Sequence, residues 1–170
     1  MQKIWITGSS GSGKTTLANI IGAKLNIPIY HNDKIFWMEN WQQRPISEQI
    51  EITKGITQKD SWIYEGNRFN SCKEDGRYSE CDTIIFLKIN RFTCLYRFLR
   101  RSLKHRGTVR PDISDGCTEK VDIEILKYIV FDYPKKNNER QQLFADAVND
   151  EKNLVILSGR KNVKKWLNAL

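Results

Sequence analysis

An α/β fold on a parallel sheet of five strands is predicted by three observations. Short apolar runs alternate with helical patterns along the chain, two of those runs are clear interior strands, and the first opens into a glycine-rich loop that starts a helix. At 170 residues the chain is long enough for one core and too short for two ordinary domains. A single domain over 1–170 with mobile insertions is expected.

The first strand is Ile4-Trp5-Ile6. It runs into Gly8-Ser9-Ser10-Gly11-Ser12-Gly13-Lys14-Thr15, an undivided G-x-x-x-x-G-K-[ST] phosphate loop, followed by Thr16 and a helix with Leu17, Ile20, Ile21 and Leu25 on one face. The glycines let backbone N–H groups turn inward around phosphate oxygens, the helix start adds partial positive charge, and Lys14 reaches the terminal phosphates. Thr15 is the candidate Mg²⁺ ligand. A dinucleotide fingerprint fits worse, because G-x-G-x-x-G read from Gly11 and Gly13 needs glycine where Thr16 stands.

Pro28-Ile29-Tyr30 reads as a second strand delivering His31-Asn32-Asp33 to the ligand-binding end of the sheet. Asp33 is a candidate to orient an acceptor hydroxyl or a metal-bound water, with an Asx turn as the alternative. His31 reads more readily as structural than as a base. The aromatic stretch Ile35–Trp41 is either core or the wall of an acceptor pocket, and Ser47 is expected to cap a helix reaching Asp60.

Ser61-Trp62-Ile63-Tyr64 is the third strand and ends in Glu65-Gly66-Asn67-Arg68. Glu65 is placed to hold the water shell of Mg²⁺, Gly66 permits close backbone approach, and Arg68 is able to meet an anion. Residues 69–80 read as polar loop or short helix without chemistry. Thr83–Leu87 and Asn153–Leu157 are the two clearest strands. Beyond the last one, Arg160 is expected beside the nucleotide base, by fold analogy alone, and Val163, Trp166, Leu167 and Leu170 form a packing stripe on the closing helix.

Between the two clearest strands, residues 91–110 carry seven Lys/Arg and no Asp or Glu. As a helix, Phe92, Leu95, Tyr96, Leu99 and Leu103 make the predicted packing face, with Arg97, Arg100, Arg101 and Lys104 opposite. Arg97 and Arg101 are the better site candidates, and Arg100 and Lys104 read as solvated surface. After Gly107 the stretch to Cys117 has turn residues throughout and looks like a flap, with Arg106 and Arg110 as arginine fingers supplied in cis. Lys120–Phe131 and Asn138–Val148 read as scaffold helices, with Leu143, Phe144, Ala147 and Val148 turned inward.

The net charge of +8 suits anionic partners without choosing between nucleotide and nucleic acid. Cys72, Cys81, Cys94 and Cys117 form no C-x-x-C pair, so a zinc or redox motif has no support. No leader pattern and no membrane-length apolar run is seen, and a soluble, cytoplasmic protein is expected.

Several motifs together resemble the adenylate-kinase-like P-loop family labelled DNA topology modulation proteins. They are Gly8–Thr16, Tyr30-His31-Asn32-Asp33 with Phe36-Trp37, Glu65-Gly66-Asn67, Cys94-Leu95-Tyr96-Arg97, Arg106-Gly107 with Arg110-Pro111-Asp112, and Gly116-Cys117-Thr118-Glu119. The resemblance implies a P-loop NTPase three-layer sandwich of strand order 2-3-1-4-5, with MgATP bound at Gly8–Thr16. By the same likeness Lys14 stabilises the transferred phosphate, Thr15 binds Mg²⁺, Arg97, Arg101, Arg106 and Arg110 contact phosphates, and Asp33 faces the acceptor. Nucleotide monophosphate kinases usually carry Asp-Gly where this chain has Glu65-Gly66, and no arginine pattern for a nucleotide monophosphate follows the second strand. The leading expectation is a small-molecule kinase with its acceptor region at about 31–68 and its lid at about 105–119. The alternative is an ATP-dependent nucleic-acid-binding regulator. A GTPase switch is weaker, since no N-K-x-D stretch selects guanine.

Overall fold

Strand β1 (Lys3–Gly8) is the centre of a five-stranded parallel sheet of order β2-β3-β1-β4-β5, seen in a computed structural model describing residues 1–170. Its neighbours are β3 (Trp62–Glu65) and β4 (Thr83–Lys88), with β2 (Ile29–His31) and β5 (Asn153–Ser158) at the edges. The expected order therefore stands. The register pairs Ile6 with Glu65 and Glu65 with His31, and on the other side Gly8 with Leu87. The C-terminal strand ends that carry His31, Glu65 and the glycine of the first loop are thus brought level at one end of the sheet.

Alternation along the strands divides the core into two layers, because successive side chains of a strand point to opposite faces. Ile4, Ile6, Ile63 and Ile85 pack with Leu17, Ala18 and Ile21 of α1 (Lys14–Leu25), and with Val163, Trp166 and Leu167 of α9 (Gly159–Ala169). Trp5, Trp62, Tyr64 and Ile84 pack on the other face. There they meet Ile35 of α2 (Asn32–Phe36), Ile56 of α3 (Ile46–Thr57), Tyr78 of α4 (Arg77–Glu80), and Leu143 and Ala147 of α8 (Asn137–Asn149). Ile20, Val148 and Leu170 are exposed, so the expected stripes are narrower than their spacing suggested.

Helix α3 begins at Ile46 with Pro45 at the cap position, so Ser47 lies inside the first turn and makes no capping bond. The stretch 69–80 is not featureless. Asp75 and Arg77 form a buried bidentate pair, Nε and Nη2 donating to the carboxylate at 2.7–3.0 Å, with the guanidinium over the rings of Tyr64 and Trp5.

Helix α5 (Arg91–Lys104) differs most from expectation. Its buried side is Cys94, Phe98 and Ser102, which faces Ile129 of the π-helical turn (Tyr128–Asp132) after α6 (Ile123–Lys127). Phe92, Tyr96 and Leu103 are exposed instead of packed. Helix α5 touches the phosphate loop at Cys94, where a Cβ on Gly11 would lie 2.2 Å from the carbonyl oxygen, and buries Phe98 against Ile129, which sets its orientation. Helix α8, entered one residue after α7 (Tyr133–Lys135), then packs against β5 and leads into it. No helix is long and apolar enough to cross a membrane.

Candidate active site

The loop between β1 and α1 wraps with Gly11 at φ +77° and Gly13 at φ +99°, conformations that side-chain-bearing residues rarely adopt. Lys14 folds back along it, its Nζ donating to the Ser9 carbonyl at 3.2 Å and lying 3.6 Å from Glu65 Oε1. The Thr15 hydroxyl donates to Glu65 Oε2 at 3.1 Å. A hydroxyl, a carboxylate and a lysine therefore meet at the mouth of the loop. The Ser9 and Ser12 hydroxyls are buried there without partners.

A cavity of about 490 Å³ opens from this loop. Asp33, Trp37, Trp41 and Glu65 line one side, Arg97, Phe98, Arg101 and His105 another, and Arg110, Pro111, Asp112, Ile113, Glu119 and Lys120 close over it. The structure thus brings Ser10, Gly11, Gly13, Lys14, Thr15, Thr16, Asp33, Glu65, Arg97, Arg101 and Arg110 onto one cavity. Gly8, Ser9 and Ser12 belong to the same loop but do not line the cavity, and the two serines are buried. Gly66 is needed where expected, since a Cβ there would meet Asn32 at 2.3 Å.

Other predicted residues stay away from the cavity. Arg106 is exposed and does not line the cavity: it follows the end of α5, where its backbone bridges to Glu119. Arg160 is exposed on the first turn of α9 and does not line the cavity. Arg68 is engaged elsewhere, donating to Gln49 Oε1 and stacking 4.7 Å from the Phe36 ring.

Three carboxylates lining the cavity have shifted ionisation. Asp33 has an exposed surface that opens onto the cavity but lies deep among protein atoms. That desolvation, with Glu65 and Asp112 nearby, pushes its carboxyl above the usual range against the pull of Lys14 and Arg110. Burial opposes the charge on Glu65 too, but the hydrogen bond from His31, the charge of Lys14 and the Thr15 hydroxyl outweigh it and hold the group below its ordinary value. His31 Nδ1 is 3.1 Å from Glu65 Oε2, so its structural reading gains a specific partner. Glu119 is likewise held low despite burial, by Ser102, Arg110 and Arg101.

The lid is tied to the aromatic segment after α2. The Ser114 hydroxyl donates to the Trp37 carbonyl, with the Lys34 carbonyl a second acceptor 3.2 Å away, the Cys117 thiol donates to the Met38 carbonyl at 3.2 Å, and Trp41 Nε1 donates to the Thr118 carbonyl at 3.2 Å. Trp37 and Trp41 meet edge to face at 5.4 Å. Both Asn40 and Trp41 are left-handed, at φ 57° and 63°, which for tryptophan is strained. The pocket reading of Ile35–Trp41 is supported for Trp37 and Trp41, while Ile35 is core.

Sequence reasoning quoted Asp112 and Glu119 within motifs without giving either a role. The available signal was charge: they are acids in the lid that follows a segment holding only cations.

No family model matches the chain, and no curated protein matches it in sequence. Solved structures do match in fold. A shikimate kinase from Bacteroides thetaiotaomicron superposes with a TM-score of 0.53 at 16% identity, over 98% of this chain and 94% of that one. A shikimate kinase from Acinetobacter baumannii in complex with shikimate gives 0.58 at 12% identity, over 99% and 90%. At such identities the likeness establishes the P-loop kinase fold. The narrower family label suggested by the motifs has no support from family models.

Proposed function

We propose that the chain is a MgATP-dependent phosphotransferase that moves the γ-phosphoryl group of ATP to a small acceptor. The observation that carries this reading is convergence: the phosphate loop, a carboxyl with raised pKa at Asp33 and the arginines of α5 and the lid share one cavity. On this reading residues 1–170 act as one kinase-like unit, with the acceptor region at 31–68 and the lid at 105–119.

Each residue has a physical task. The loop backbone and Lys14 cradle the phosphates, and Arg97, Arg101 and Arg110 offset charge on the group in transfer. Asp33 takes the proton of the acceptor hydroxyl, a role that suits a carboxyl held above its usual range. Trp37 and Trp41 with the lid exclude water. The donor set fits a hard divalent cation, since Thr15 and Glu65 present a hydroxyl and a carboxylate together. Mg²⁺ held by Thr15, with Glu65 on its water shell, would neutralise phosphate charge.

The testing experiment is Mg²⁺-dependent ATP consumption by the purified protein with pooled acceptors: nucleoside monophosphates, nucleosides, sugars and hydroxy acids. Stimulation by one pool supports the reading, and splitting that pool names the acceptor. No stimulation by any pool overturns it. The nucleic-acid reading gains one observation, because Phe92 and Tyr96 are exposed on α5 beside exposed Arg100 and Lys104, an arrangement able to stack bases and contact phosphates. Supercoiled and single-stranded DNA therefore form separate arms, and ATP turnover that responds only to them would favour this second reading.

A further inference from the structure

Glu119 is a buried carboxylate that hydrogen-bonds Arg110 and Ser102 and pairs by charge with Arg101. Its Oε2 accepts from Arg110 Nε at 2.7 Å. Its Oε1 accepts from the Ser102 hydroxyl at 2.8 Å and lies 3.4 Å from Arg101 Nε. Arg110 belongs to the lid, whereas Ser102 and Arg101 belong to α5, so one acid joins the lid to the helix beneath it. A buried acid beside a phosphate site weakens anion binding unless cations compensate its charge. Here two arginines do so, and both are approached at Nε, the edge of the guanidinium farther from its tip.

Asp112 holds the same Arg110 differently. Its Oδ2 accepts from Arg110 Nη1 at 2.7 Å and lies 3.4 Å from the Thr15 hydroxyl. It therefore sits at the mouth of the phosphate loop, where phosphate oxygens compete for the Nη donors and repel the carboxylate. Arg110 is left with one carboxylate in the anion site and one outside the loop.

We propose that Glu119 is a positioning residue that fixes Arg110 and Arg101 as a pair by their Nε edges, and that Asp112 is the partner Arg110 releases when phosphate arrives. The inference rests on the phosphotransferase reading. Glu119 touches no reacting atom and acts through the two arginines. Asp112 neutralises the guanidinium at Nη1 and gives up that donor to the anion.

The test compares Glu119→Gln with Asp112→Asn in the full chain, since each removes one negative charge from the lid. MgATP affinity is read from the fluorescence of the cavity tryptophans, and turnover from single-turnover ATP consumption with the stimulating acceptor pool. Glu119→Gln should slow turnover by roughly 10- to 100-fold, as expected for a displaced charge-stabilising group. Its MgATP affinity should change by less than about threefold, because loop contacts to phosphate remain. Asp112→Asn should instead tighten MgATP several-fold.

Wild-type turnover in Glu119→Gln, or the same shift in affinity in both variants, overturns the proposal. Should Glu119→Gln fail to fold, Ser102→Ala removes one contact to Oε1 and is expected to slow turnover about two- to fivefold with affinity kept. An unaffected rate there overturns it equally. Wild-type protein that neither binds nor consumes ATP would defeat the phosphotransferase reading, and this inference with it. Normal wild-type turnover combined with indifferent variants defeats this inference alone.

Discussion

Gly11 has no room for a side chain, because a Cβ would lie 2.2 Å from the Cys94 carbonyl and the backbone sits at φ +77°. Gly11→Ala should cost about 1–3 kcal/mol of stability and weaken MgATP by more than about tenfold, checked by thermal melts and nucleotide titration. Asp33 makes a pH prediction. Burial first, then Glu65 and Asp112, raise its carboxyl, so turnover should climb with pH through a value above the ordinary carboxylate range as the base ionises. Asp33→Asn should lower turnover by roughly 100-fold or more and remove that limb from the pH–rate profile. At this scale the loop and Asp33 were legible, because their signal is local: a fixed spacing and a strand end. Glu119 was not, because Arg101 lies 18 positions away and only the folded lid brings the pair together.

The lid and the aromatic segment behave as two elements latched to each other through Ser114, Cys117, Thr118 and Trp41. Trp41→Ala removes the Nε1 bond and the edge-to-face contact with Trp37. Cleavage by trypsin after the exposed Arg106 should quicken several-fold, as followed by gel and mass spectrometry, and MgATP should slow it again. The lid's anchor has a pH signature of its own. Glu119 is held below its ordinary value, so its contribution to stability is present above the unfolded carboxylate pKa and is lost as pH falls through the depressed folded one. Acid melts of Glu119→Gln should lack that component. Helix α5 was legible as a helix but not in its orientation. Periodicity gave a broad apolar stripe at Phe92, Tyr96 and Leu103, while the fold buries Cys94 against the loop, Phe98 against Ile129 and Ser102 against Glu119.

Across the whole molecule the sheet was readable as strands, and its order came from family resemblance, since apolar runs do not reveal which strands are neighbours. The Asp75–Arg77 pair was missed because a short polar stretch gives no sign that it will be roofed by Trp5 and Tyr64. Asp75→Ala leaves an uncompensated buried guanidinium and should lower stability by about 3–5 kcal/mol, measured by urea titration. The central place of β1 has a consequence for how the chain is made. Its partners are Trp62–Glu65 and Thr83–Lys88, so the apolar run Ile4-Trp5-Ile6 leaves the ribosome long before either flank exists. Until Trp62–Glu65 follows it is a strand with two open edges, and until Thr83–Lys88 follows it keeps one, exposed to chaperones or to other nascent chains.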